Sequence, residues 1–345
     1  MELKSNNGGF IMGFKERIDS FKLRKKINKA NKFYIDGEFE KAYKIYKNFL
    51  KEGYKYSFIY YNLGLIYHYY MKNYNKALDA FNKALELDSS DSYLFKEKAK
   101  VLIDMEDFNE ALRALNKSIM ANKDDPEVWD RKGYVLMNLN RFKDALDSYN
   151  KSIDLDSFNS KTWFGKGYLL REMNRFDEAL DSFDKSIELE QENSGSWYSK
   201  SHTLMILNRF DEALYSINKS IELEPNEFEA WLFKGYILSK LDNLDKAIKS
   251  YNRAIRLNPN DSRIWFNKGL VFLELSRFNE ALKNFDLALK IDPQKTDALY
   301  FKGFVLKKMG RFDEALYYYD KYLDIKKDDE DVLNERNEVS NYLKK

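Results

Sequence analysis

Two histidines, His68 and His202, are the side chains best suited to proton transfer or metal ligation near neutral pH. They stand more than a hundred residues apart. A shared metal site is not expected, and each reads as a groove or packing residue. There is no cysteine, which excludes disulfides, thiolate zinc sites and cysteine nucleophiles and fits a reducing compartment. Neither a GxxxxGK phosphate loop nor a dinucleotide glycine fingerprint occurs. Asp and Glu total 56, but no pair is set apart as acid and base, and carboxylates spread along helical faces are solvated. No catalytic residue, metal ligand or cofactor is expected, and the chain is not read as an enzyme.

What recurs instead is pattern. The stretch RFDEAL begins at Arg175, Arg209 and Arg311, with RFKDAL at Arg141 and RFNEAL at Arg277. Its alanine register runs Ala42, Ala77, Ala111, Ala145, Ala179, Ala213, Ala247, Ala281, Ala315, with a first step of 35 and then steps of 34. Twelve residues earlier stand Ala99, Gly133, Gly167, Ser201, Gly235, Gly269 and Gly303, and four before those Phe95, all five tryptophans (Trp129, Trp163, Trp197, Trp231, Trp265) and Leu299. A lysine precedes each small residue: Lys98, Lys132, Lys166, Lys200, Lys234, Lys268 and Lys302. Two chemistries suit this register. The lysine stems cover a helix seam and their ammonium groups reach acids such as Glu178 or Asp184, or they form a basic ladder.

The elements that must position these residues follow from spacing. Trp231, Gly235 and Leu238 share one helical face, as do Leu244, Ala247, Tyr251 and Ala254, and the polar KLDN lies between them. Each unit is two amphipathic helices and a tight turn. Pro126, Pro225, Pro259 and Pro293 fall at unit borders, where helices start or stop. The extra residue of the second unit, between Gly64 and Ala77, is expected to lengthen its first helix or turn. Small residues mark a close helix crossing, where overpacking costs about 1–3 kcal/mol. The tryptophans are expected to be buried between helices, at about 3–5 kcal/mol each on truncation.

A 34-residue period of two helices with this register set resembles the tetratricopeptide repeat (TPR). The resemblance covers residues 23–329 as nine units, 23–56, 57–91, 92–125, 126–159, 160–193, 194–227, 228–261, 262–295 and 296–329. It implies an all-α solenoid wound as a right-handed superhelix, with a concave surface lined by the first helix of each unit. The residues expected on that surface as a peptide-binding face are Tyr61, Lys96, Lys100, Asp130, Tyr134, Phe164, Tyr168, Arg171, Tyr198, His202, Tyr236, Phe266 and Tyr300, with His68 beside Tyr61. Tyrosine offers rigid area and one hydroxyl, which suits peptide recognition. The competing expectation is that these rings pack on the neighbouring second helix. A carboxylate clamp of the kind some family members use on chaperone C-termini fits poorly. Asn31 and Asn62 resemble its asparagines, but Ile27, Tyr93 and Glu97 stand where basic groups belong. Lys96, Lys100, Arg131 and Lys161 remain candidates for a looser acidic-peptide site.

At the ends, residues 1–22 are expected to be partly disordered, and residues 13–32 are basic, with Phe14, Ile18 and Phe21 at helical spacing. That segment caps the first repeat or touches an anionic membrane. Met12 is a second candidate start. Residues 330–345 are expected to form a capping helix. The opening stretch does not read as a secretory signal, and no stretch approaches the roughly 20 apolar residues of a membrane span. With Lys+Arg 58 against Asp+Glu 56, nucleic acid is not expected as a general partner. The expected function is a cytoplasmic, non-enzymatic scaffold for a protein or peptide partner. An RNA-binding regulator using the lysine register, and self-assembly through the repeat ends, are the alternatives.

Overall fold

A computed structural model describes residues 21–343. The expectations for residues 1–20, including Phe14 and Ile18, lie outside the described residues. The chain divides into two compact units, Met1–Met173 and Asn174–Lys345. Unit one contains α1 (Phe21–Ile35), α2 (Phe39–Lys51), α3 (Ser57–Leu65), a π-helical turn (Ile66–Tyr70), α4 (Tyr74–Leu87), α5 (Ser92–Asp104), α6 (Phe108–Ala121), α7 (Pro126–Asn138), α8 (Phe142–Leu155) and α9 (Ser160–Glu172). Unit two contains α10 (Phe176–Leu189), α11 (Ser194–Ile206), α12 (Phe210–Leu223), α13 (Phe228–Lys240), α14 (Leu244–Leu257), α15 (Ser262–Glu274), α16 (Phe278–Ile291), α17 (Thr296–Lys308), α18 (Phe312–Ile325) and α19 (Glu330–Leu343). The described residues form an all-α solenoid of helix pairs, and no strand occurs among them.

Each pair closes through one backbone device. The fifth residue before the register alanine has positive φ in every copy: Gly37, Lys72, Glu106, Asn140, Asn174, Asn208, Asp242, Ser276 and Gly310. In the fourth pair, Arg141 N–H donates to Leu136 O at 2.8 Å and Asn140 N–H to Met137 O at 2.9 Å. That is a Schellman ending, in which the left-handed residue lets the last carbonyls be satisfied. Gly37 and Gly310 have no atom within 4 Å of an added Cβ, so only their backbone conformation favours glycine.

The RFDEAL motif begins at this turn. Arg175 donates to both carboxylate oxygens of Glu178 at 2.6 Å, and Arg209–Glu212 and Arg311–Glu314 repeat the contact at 2.7 Å. Arg277–Glu280 and Arg141–Asp144 are the near-copy versions. The arginine starts the second helix by holding an acid one turn in, beside the exposed N–H groups that favour negative charge. Pairs this exposed are screened by solvent and contribute little to stability.

The small-residue register contacts an aromatic ring. A Cβ on Gly133 would stand 2.9 Å from the Tyr149 ring, and one on Gly235 2.6 Å from that of Tyr251. Where the small residue carries a Cβ, as in Ala99 and Ser201, the residue at the ring's position is Leu115 or Ile217. Ala30 with Tyr46 is the exception. The tryptophans differ from expectation. All five are half-buried rather than core. Each Nε1–H donates to the carbonyl six residues earlier (Lys123, Ser157, Gln191, Pro225, Pro259) at 2.8–3.0 Å. They tie the inter-repeat loop to the first helix, so polar tethering replaces part of the expected burial.

The extra residue of the second copy is absorbed as the π-helical turn, Ile66–Tyr70. At the C-terminus α19 packs on α18 through buried Val332 and Val339, and Arg336 donates to Asp320 at 2.6 Å. It continues the register of the first helices, with Arg336 in the place of Lys302. Its residue in the small-residue register is the exposed polar Asn337, which suits a cap.

Candidate binding face

Successive first helices place the expected binding residues in neighbouring registers of one helical face, and the copies furnish those registers differently. On α5 and the start of α7 in unit one they hold charge. Lys96 and Lys100, expected to be available to a ligand, are 7% and 8% exposed. Lys96 Nζ donates to Asp125 and Glu127, both at 2.9 Å. Lys100 Nζ lies 2.8 Å from Glu97 and 2.9 Å from Glu127. Arg131 reaches Glu127 through Nε at 3.1 Å and a terminal nitrogen at 3.0 Å. Tyr69 donates to Glu97 at 3.0 Å. Three cations thus meet three carboxylates, and the looser acidic-peptide site has no spare charge at Lys96, Lys100 or Arg131.

The titration of these groups follows. Burial raises the Glu127 carboxyl, but Lys100, Lys96 and Arg131 outweigh it and hold the group well below the usual carboxylate range. Burial lowers Lys96, and Glu127 and Asp125 overcome it, leaving the ammonium raised. Asp130, next in the register, is raised by burial against the opposing hydrogen bond from Thr162.

Beyond this network the face opens. Tyr134 and Tyr168 occupy equivalent places on α7 and α9 and are 43% and 37% exposed. The Tyr134 ring meets Phe108 edge-on at 6.4 Å. The Arg171 guanidinium lies 4.4 Å from the Tyr168 ring centroid, a cation–π arrangement. Phe164 is half-buried. Tyr61 has its phenol strongly shielded, and burial pushes its pKa well up. His68 is a packing residue. It is 1% exposed, its Nε2 lies 2.7 Å from Asp104 Oδ2, and its ring lies tilted against Tyr69 at 4.2 Å.

In unit two the same registers are mainly aromatic, with Leu232 and Leu270 between the rings. His202 stacks on Phe233 at 5.3 Å and 16°, and Tyr198 meets the same ring at 5.7 Å. Phe266 contacts Phe285 and Phe301 at 5.9 and 5.8 Å. Tyr300 contacts Phe301, Phe304, Tyr319 and Tyr322. The Tyr236 ring lies under Lys240 at 5.4 Å. All five register residues, Tyr198, His202, Tyr236, Phe266 and Tyr300, are half-buried, so each presents one edge and packs the other.

The clamp-like asparagines are committed to packing. Asn31 accepts from Tyr46 at 2.6 Å, and Asn62 donates to Phe58 O at 2.8 Å. The lysine register lies along the seam. Lys132, Lys166, Lys234 and Lys268 stand 5.0–5.6 Å from the tryptophan three residues earlier. Lys200 and Lys302 are ion-paired with Asp184 and Asp286. Asp184 was the expected kind of partner; Glu178 is held by Arg175 instead.

Family models described as tetratricopeptide or TPR repeats match residues 69–132, 126–159, 160–193, 194–227, 235–276, 262–295 and 296–329. The chain belongs to the tetratricopeptide repeat family. No curated protein matches it. Among solved structures, it is similar to the C-terminal part of a TPR repeat-containing protein from Cytophaga hutchinsonii, with 17% identity over 70% of this chain and 98% of that one and a TM-score of 0.58. It is also similar to Pseudomonas aeruginosa PilF, with 18% identity over 60% of this chain and 94% of that one and a TM-score of 0.54. At these identities the likeness is one of fold. YrrB, described as a TPR protein with an unusual peptide-binding site, is 27% identical over 55% of this chain and 97% of its own, with a TM-score of 0.49. No helix among the described residues is long and apolar enough to cross a membrane.

Proposed function

We propose that this TPR chain is a non-enzymatic, cytoplasmic interaction scaffold that holds an extended peptide or a partner helix against its first-helix faces. One observation carries the reading. Tyr134 and Tyr168 stand exposed at equivalent places on successive first helices, while Val135, Leu136, Leu169 and Leu170 beside them are buried. Exposed rings in a fixed register, on a scaffold that could have buried them, suit a partner that supplies the missing contacts. The register also changes residue type between copies, from Asp130 and Phe164 in unit one to Tyr198, Leu232, Phe266 and Tyr300 in unit two. Variation over a constant frame is how one surface distinguishes partners.

Pull-down from native lysate tests this with wild type and a Tyr134→Ala/Tyr168→Ala variant. Loss of at least one specific partner is expected. Equal recovery of every partner contradicts it.

A further inference from the structure

The lysine register varies in a way that the first-helix faces do not explain. Sixteen residues before each lysine, across the seam, stands an acid or its amide. It is aspartate for Lys200 and Lys302, and each pair forms an ion bond. For Lys98 it is Asn82, which accepts from the ammonium at 2.8 Å. A neutral amide satisfies the geometry and leaves the charge in place.

Lys98 does not stand alone. With Phe95, Arg113, Asn116 and Lys117 it lines a surface cavity of about 440 Å³ on the second-helix side of unit one. The Lys117 ammonium lies 5.6 Å from the Phe95 ring centroid. Among the described residues neither Lys98 nor Lys117 has a carboxylate partner. Arg113 is bonded to Glu110, the acid that also lines this cavity. Three cations therefore face one anion. Burial lowers the Lys98 ammonium, Lys117 lowers it further and Glu110 opposes both. Lys98 is half-buried and Lys117 exposed at the cavity's edge, and an anion between them would relieve their repulsion.

We propose that this cavity binds an oxyanion presented by a partner protein, either the carboxylate of an acidic side chain or the phosphate of a phosphorylated one. A protein source is favoured over nucleic acid because the excess charge is local. The adjoining cavity places Lys132, Arg141 and Lys151 against Asp144 and Asp147, and the whole chain is only +2. A phosphodiester strand draws its affinity from a continuing row of cations.

Calorimetry on the full chain tests the site with four probes: a Glu-rich peptide, the same peptide carrying phosphoserine, inorganic phosphate and a single-stranded RNA of matched charge. Asn82→Asp supplies the carboxylate found opposite Lys200 and closes the site without changing side-chain size. Lys98→Gln/Lys117→Gln empties it of charge, and Lys151→Gln controls for the adjoining cavity. The expected result is binding of at least one peptide, weakened about tenfold or more by both cavity variants and unchanged in Lys151→Gln, since charge-assisted contacts carry that much. The stronger of the two peptides then identifies carboxylate or phosphate as the source. Equal affinity in all variants, absence of peptide binding, or tighter RNA binding with the same variant dependence overturns the proposal.

Discussion

The two units repeat one helix-pair frame, and among the described residues its first-helix registers carry a buried charge network only in unit one, on α5 and α7. In unit one Lys96, Lys100 and Arg131 are locked to Glu97, Asp125 and Glu127. In unit two the same places hold Tyr198, His202, Phe233 and Phe266 in ring contact. A repeat fixes where a side chain goes and leaves open what it is. The frame sits in turns, small residues and seam contacts, and the register residues are free to specialise.

That contrast makes equivalent substitutions unequal. Glu127→Ala leaves three cations short of a carboxylate and is expected to cost about 2–3 kcal/mol, discounted from a fully buried pair because Glu127 is part-exposed. Glu229→Ala, in the same register of unit two and in no ion pair among the described residues, is expected to cost under about 0.5 kcal/mol. Urea denaturation of both variants reads the difference, and equal losses break the comparison. Phe266→Ala is expected to cost about 2 kcal/mol from lost ring packing. Its counterpart Asp130→Ala is expected to cost less than about 1 kcal/mol, because a carboxyl raised by burial contributes little as a charge.

Acid titration sharpens the same point. The folded-state pKa of Glu127 is lowered, so its stabilisation is present above the unfolded value near 4.3 and is lost as pH falls below it. Between about pH 5 and pH 3 the wild type should lose more stability than Glu127→Gln. Parallel losses would mean that the network does not titrate with folding. A small gain should be the same in both units. Glu106→Gly and Ser276→Gly place glycine at a positive φ and are each expected to gain about 0.5–1 kcal/mol. A gain in one and a loss in the other would mean that the turns are not equivalent.

Periodicity made the helix pairs legible, because a strict 34-residue beat reports stacking directly. Of the two acids expected across the lysine seam, Asp184 pairs with Lys200 and Glu178 with Arg175. The π-helical turn could be placed only as an extra residue, since the sequence does not say how a helix absorbs it. The charged network was missed at Lys96 and Lys100 because each lysine's acids lie partly on the next repeat, at Asp125 and Glu127. One signal was present and unread. Gly133 and Gly235 match Tyr149 and Tyr251, whereas Ala99 and Ser201 match Leu115 and Ile217, so size trades across the crossing. The tryptophans misled because a large apolar ring suggests burial, while its N–H was needed by a loop carbonyl.

The central claim is that partners meet the first-helix register. A photoreactive phenylalanine analogue placed singly at Tyr134, Tyr168, Tyr215 and Tyr317 tests it in cells. The last two are 59% and 53% exposed on second helices. Discrete crosslinked partners are expected at Tyr134 and Tyr168 and not at the controls; crosslinks confined to Tyr215 and Tyr317 would contradict the account.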